Sequence, residues 1–246
     1  VMLARTTLIN DAAKTWAHEN RDYLNSGNRL LGTSTKLEKG KDKFSSYVLY
    51  LQPADKVAER TLCPMAETSG CKAPCLITSG RLGMKGAQAA ATRRTILMLL
   101  QPEYFTAKLL SEIDAAERKA LKSGIPALFR LNGTSDVSWT KIIDARPDSQ
   151  FYDYTKIVNR VIPDTDVYDL TFSYSGVEAY QPFVLKALSK RLRMAVVFRD
   201  RESIPSEFMG MECIDGDDSD VRFIEPHGVV VALYAKGKAK KDTSGF

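Results

Sequence analysis

Phe44-Ser-Ser-Tyr-Val-Leu-Tyr-Leu51 is an eight-residue run rich in β-branched and aromatic side chains, closed two residues later by Pro53. It reads as a buried β-strand. Further runs of the same kind follow at 127–131, 150–154, 168–173, 194–198, 211–214 and 229–234. Between the first two lies a helical stretch from about Met84 to Ser123, with a break expected at Pro102 and a stop at Gly124. Shorter helices are expected near 138–145 and 177–191. Seven short strands apolar enough to be buried on both faces, separated by helices or long connections, imply a parallel sheet with helices outside. The expected fold class is α/β, a partial or complete parallel β/α barrel, with a doubly wound open sheet as the alternative.

N-terminal to the first strand, Leu3, Leu8, Ala12, Ala13 and Trp16 recur at near-helical spacing, and 25–43 is a polar stretch read as an exposed loop. The expected organisation is an N-terminal helical extension over 1–43, then a barrel-like catalytic domain over 44–246 carrying a cysteine loop at 63–75. The 246 residues suit one large domain, and 44% hydrophobic residues provide a substantial core. No run approaches the roughly 18 apolar residues of a membrane span. The first residues mix Arg5, Asp11 and Lys14 with short apolar runs, unlike a signal peptide. The expectation is a cytoplasmic protein with no membrane partner. A net charge of +5 permits nucleic-acid binding without demanding it. The basic run Lys236-Gly-Lys-Ala-Lys-Lys241 reads first as a solvated tail and second as a phosphate-tracking patch.

The strongest chemical signal is Cys63-Pro-Met-Ala-Glu-Thr-Ser-Gly-Cys71-Lys-Ala-Pro-Cys75. Cys63, Cys71 and Cys75 are soft donors suited to an iron–sulfur cluster or zinc, and the prolines and glycine make the segment a poor core element. Zinc needs a fourth ligand, for which Cys213, His227 and His18 are the candidates. Three cysteines in one loop suit a cubane with one open iron, so a [4Fe–4S] cluster is the first expectation and zinc the alternative.

Polar residues gather just after the strands, where parallel α/β folds build their sites. Arg130-Leu-Asn132-Gly133-Thr134-Ser135-Asp136 crowds polar side chains around one glycine. Asp136 can act as a base or orient an amine, or can cap the following helix in competition with Ser138. Asp215-Gly-Asp217-Asp218-Ser-Asp220 is either a carboxylate site or an Asp-rich turn. Ser173 and Lys156 follow two other strands; Lys156 is expected to face the site, whereas Phe151, Tyr152 and Tyr154 are expected mostly in the core. Arg81, Arg93 and Arg94 follow the cysteines and read first as surface residues.

Four segments together resemble a family of phage-encoded three-cysteine proteins: LCPMAETSGCKAPCLITSGR (62–81), RLNGTSDVSW (130–139), QFYDYTK (150–156), and CIDGDDSDVRF (213–223) with ALYAKGKAKKDTSGF (232–246). The resemblance runs from about Asn25 to the C-terminus and so reaches the tail, which then can fold over the site although Gly237, Ser244 and Gly245 suggest flexibility. The layout also resembles, more weakly, the radical S-adenosylmethionine enzymes, in which a first strand leads into a three-cysteine cluster loop and a second ends in a Gly-rich acidic turn. The usual spacing there is C-x3-C-x2-C; here it is C-x7-C-x3-C. That resemblance implies Cys63, Cys71 and Cys75 as cluster ligands and Asn132, Gly133, Thr134, Ser135 and Ser173 around S-adenosylmethionine. Arg130 and Lys156 would then hold a nucleotide or nucleic-acid substrate. Two other functions are consistent with the residues. One is a transglycosylase-like barrel enzyme modifying DNA bases through Asp136 and Asp215 or Asp217, with structural zinc. The other is a non-catalytic protein binding a host factor.

Overall fold

The computed structural model describes residues 6–32, 44–162, 168–217 and 221–245. Nine strands form one sheet among them: β1 (Leu31–Gly32), β2 (Ser45–Leu49), β3 (Ala127–Arg130), β4 (Gln150–Thr155), β5 (Tyr168–Ser173), β6 (Met194–Phe198), β7 (Glu207–Phe208), β8 (Met211–Asp215) and β9 (Val230–Tyr234). All seven strands expected from the sequence are present. The other two, β1 and β7, are two residues long and too short to show an alternation. β1 lies within the stretch expected to be an exposed loop, yet Leu30 and Leu31 are buried. The rest of that loop, 33–43, lies outside the described residues.

The spatial order is β1-β2-β3-β4-β5-β6-β9-β8-β7. β2 to β6 therefore stand side by side in chain order, and every pairing from β2 through β9 to β8 is parallel. β1 and β7 add antiparallel edges. The α/β, mostly parallel class agrees with the sequence reading.

Six α-helices accompany the sheet among the described residues: α1 (Asp11–Glu19), α2 (Arg21–Leu24), α3 (Lys85–Leu100), α4 (Pro102–Ser123), α5 (Thr140–Asp144) and α6 (Gln181–Ser189). Pro102 divides α3 from α4 as expected, sitting in the first turn of α4 where its missing N–H is harmless. Gly124, at φ 68°, closes α4 in the left-handed conformation that a side chain would oppose. α4 buries Phe105, Leu109, Ile113 and Ala116, one stripe at helical spacing. That stripe packs with Ile96 and Leu97 of α3 against Leu49, Phe129 and Phe151 of the sheet. The N-terminal segment joins the same core through Ile9, Ala13, Leu24 and Leu30. α6 covers the same sheet face further along, with Val184 and Ala187 on Leu170, Phe172 and Met194.

On the opposite face, residues 221–223, which precede β9, lie across β3 and β4. Val221 is buried with Leu128 and Tyr152, and the Phe223 ring stands 5.8 Å from Phe44 and 6.4 Å from Tyr152. Beside it runs a buried polar row. Arg193 donates to Thr171, Asp169 and the Glu225 carbonyl, while Arg222 is paired with Glu225.

Candidate metal centre

The cysteine loop leaves the C-terminal end of β2 and is fastened to the segments after β3 and β5. Ala54, a non-glycine residue at φ 51°, turns its N–H onto the Cys63 sulfur at 3.3 Å. Such a conformation costs on the order of 1–3 kcal/mol and persists where the surroundings over-determine it. Leu62 N–H bonds the Ala54 carbonyl, and Asp136 N–H bonds the Leu62 carbonyl. The Cys63 thiol points to the Thr134 carbonyl at 4.0 Å. At the far end of the loop, the Ser175 hydroxyl donates to the buried Ser69 carbonyl at 2.8 Å. Lys72 ties Asp55 to Glu67 on the outside.

The three sulfurs are half-buried and close enough to feel one another's charge. Burial pushes the Cys63 thiol up to about 12, opposed by the Ala54 N–H and reinforced by Cys71, Cys75 and Asp136. Burial also raises Cys75, against an N–H from Ile77. Thiols in this state need a cation before they ionise together. Among the described residues no group of three or more His, Cys, Asp or Glu side chains is gathered tightly enough to hold a single metal ion. Cys213 lies on β8, where the charge it senses is that of Glu207. His227, before β9, accepts the Arg193 N–H at the other end of the sheet, and His18 is exposed on α1.

The loop after β3 is built as a scaffold. Asn132 Oδ1 accepts from the Ser135 hydroxyl, the Val137 N–H and the Trp139 indole, all within 3.1 Å. Thr134 donates to the Leu51 carbonyl. Gly133 presses on β2 so closely that a Cβ would lie 2.7 Å from Val48 and Tyr50 side-chain atoms. Asp136 accepts from the Thr155 hydroxyl, the Lys156 N–H and Arg160, and burial raises its pKa against those donors. It does not cap α5, whose N-terminus has no side-chain cap.

Lys156, immediately after β4, is buried. Its ammonium donates to the Tyr174 carbonyl at 3.0 Å, lies over the Tyr180 ring and interacts with the charges of Cys71 and Asp136. Burial lowers its pKa to about 8. Ser173 contributes its carbonyl to Tyr180 and Lys156. Arg130 stacks on Tyr154, 4.6 Å from the ring centroid, on the sheet face opposite the helices. Asp215 pairs with Arg201 and Asp217 with Lys236 beyond β8, while Asp218 and Asp220 lie outside the described residues. The Cys63 thiol thus senses the charges of Cys71, Cys75 and Asp136, and the Lys156 ammonium those of Cys71 and Asp136, whereas Asp215 and Asp217 are paired with Arg201 and Lys236.

Of the arginines expected on the surface, Arg81 is exposed. Arg93 is buried and donates to the Tyr23 and Asn28 carbonyls, because the N-terminal segment packs over α3. Pattern alone does not single out Asp153, which is buried and accepts from Leu131 N–H, Asn132 N–H and the Tyr168 hydroxyl. An aspartate inside the run Phe151–Thr155 is the one signal for it in the sequence. The C-terminal tail is ordered: a 3-10 turn over Gly237–Lys241 packs on Leu76–Thr78, and the Gly245 carbonyl accepts from Gly176 N–H at 2.7 Å.

Fold and site define an α/β protein with a three-cysteine loop set across the C-terminal ends of a mostly parallel sheet. The chain belongs to the family described as Gene product 88, whose model matches residues 22–246. This agrees with the resemblance to phage-encoded three-cysteine proteins carried by the four sequence segments. No curated protein and no solved structure matches the chain. No helix among the described residues is long and apolar enough to cross a membrane.

Proposed function

We propose that the protein is an iron–sulfur enzyme on a barrel-like sheet, modifying a nucleotide or nucleic acid in the cytoplasm of a phage host. The observation that carries the reading is the pairing of three half-buried thiols with a buried ammonium. Cys63, Cys71 and Cys75 share one loop, with N–H groups of Ala54 and Ile77 directed at sulfur and the Lys156 ammonium near enough to interact with the Cys71 charge. A cubane carrying three thiolates is a net anion, and N–H donors together with one nearby cation stabilise it. A cubane also spaces its thiolates more widely than one tetrahedral zinc, and the candidate fourth zinc ligands Cys213 and His227 lie elsewhere. Barrel-like curvature is favoured by β2 to β6 following one another in one direction and by Phe223, beyond β8, resting on Tyr152 of β4.

S-adenosylmethionine is the ligand we propose for the open side of the cluster, near Ser173 and Lys156. Asn132, Thr134, Ser135 and Asp136 would act by fixing the loop, since their side chains are committed internally. The transglycosylase reading has less in its favour, because Asp136, Asp215 and Asp217 are each matched to a basic side chain. The test is the visible spectrum of protein purified without oxygen, beside that of C63A/C71A/C75A. Broad sulfide-to-iron absorption lost in the variant is expected, followed by S-adenosylmethionine binding in equilibrium dialysis. Absorption that survives removal of all three thiols contradicts the ligand assignment.

A further inference from the structure

Two stretches far apart in sequence carry only positive charge. From Ala73 to Pro102 the charged residues are Arg81, Lys85, Arg93 and Arg94, and from Pro226 to Lys241 they are Lys236, Lys238, Lys240 and Lys241, apart from a titratable imidazole at His227. The fold lays one on the other. The turn at Gly237–Lys241 packs on Leu76–Thr78, and Gly237 sits so close to Ser79 that a Cβ there would fall 2.9 Å from the Ser79 Cβ. Arg199 pins the tail by donating to the Lys240 and Asp242 carbonyls.

Several carboxylates of this region are already paired: Asp55 and Glu67 with Lys72, Asp215 with Arg201, and Asp217 with Lys236, while Asp242, next to Lys241, accepts from the Ser244 N–H and hydroxyl. Arg81, Lys85, Lys238, Lys240 and Lys241 are exposed and make no ion pair among the described residues. Two large apolar side chains stand among them, Leu76 at 47% and Met84 at 63% exposure.

We propose that 76–85 and 236–241 form one phosphate-binding surface that holds a nucleic-acid strand at the rim of the cysteine site. Five exposed cations spread over two segments fit a polymer of phosphates rather than a free nucleotide. Lysines as mobile point charges track a backbone without reading sequence. Leu76 and Met84 supply apolar contact for unstacked bases. A membrane surface fits less well, since the tail turn is five residues long and lacks an amphipathic helix. The inference takes its substrate class from the proposed function, but the surface itself requires no metal.

The experiment is fluorescence anisotropy of the full-length protein with a labelled single-stranded oligonucleotide over a salt series. Five phosphates neutralised give a slope of log K against log salt of about −3.5 on a single strand. K238A/K240A/K241A is expected to flatten that slope by about 2, and R81A/K85A by about 1.4. Both variants should keep the parent's thermal unfolding midpoint, as all five side chains are exposed. C63A/C71A/C75A, if folded, should bind as the parent does, so loss of the metal reading and loss of this one are separable. No binding at low salt overturns the proposal, as does binding that both lysine and arginine variants leave unchanged. Equal affinity for anionic vesicles or polyglutamate of matched charge also overturns it, assigning the patch to acidic surfaces in general.

Discussion

At the residue scale, the site depends on groups that touch no ligand. Gly133 has no room for a side chain, with Val48, Tyr50 and the Leu49 carbonyl all within 2.8 Å of the would-be Cβ. Gly133→Ala is therefore expected to cost roughly 1–3 kcal/mol, read by chemical denaturation, because backbone must move to admit the methyl. Asp153 holds the end of β3 by accepting two backbone N–H groups, and burial pushes its carboxyl up to about 7 against the pull of Arg130 and Asn132. A carboxyl whose folded pKa lies above its unfolded 3.8 binds more protons in the native state. Its contribution to stability is complete below the unfolded value and is lost as pH rises through about 7. The stability difference between the natural protein and Asp153→Asn should fall across that window and level off above it. A pH-independent difference would place the Asp153 pKa near its ordinary value. Neither residue's burden is visible in sequence beyond the oddity of a glycine after Asn132 and an aspartate inside an apolar strand.

At the element scale, the strands are legible in the sequence and the fastenings are not. Each parallel strand is short, apolar and bounded by turn residues, so its position survives without knowledge of its neighbours. Pro102 and Gly124 mark the ends of α4 by backbone geometry alone. By contrast, the cysteine loop is held through Ala54, Thr134, Asp136 and Ser175, contacts between segments up to 106 positions apart. No local pattern encodes such contacts. The tail is the clearest case: composition reads as flexible, yet Gly237 and Gly245 are the residues that let it lie against Ser79 and Gly176. At φ 56° and against the Ser79 side chain, Gly237→Ala is expected to lift the tail from the cysteine loop. Limited proteolysis should then cleave after Lys238, Lys240 or Lys241 several-fold faster than in the natural protein. Unchanged cleavage would mean that the tail is held elsewhere, by Arg199 and Gly176.

At the scale of the whole molecule, the helices cover one face of the sheet and the segment around Val221 and Phe223 covers part of the other. Phe223 rests on Phe44 and on Tyr152 of β4 across that second face, and Phe223→Ala is expected to cost roughly 2 kcal/mol in urea unfolding. A negligible cost would mean that the segment lies on the sheet without supporting it. The arrangement directs the C-terminal ends of β2 to β5 toward one place, where three thiols, a buried lysine and the tail meet. The central claim is that this place holds an iron–sulfur cluster, and the most direct measurement is iron, zinc and acid-labile sulfide content per chain after purification without oxygen. The account predicts about four irons and four sulfides, lost together in C63A/C71A/C75A. One zinc without iron or sulfide would contradict it and leave the cysteines a structural role.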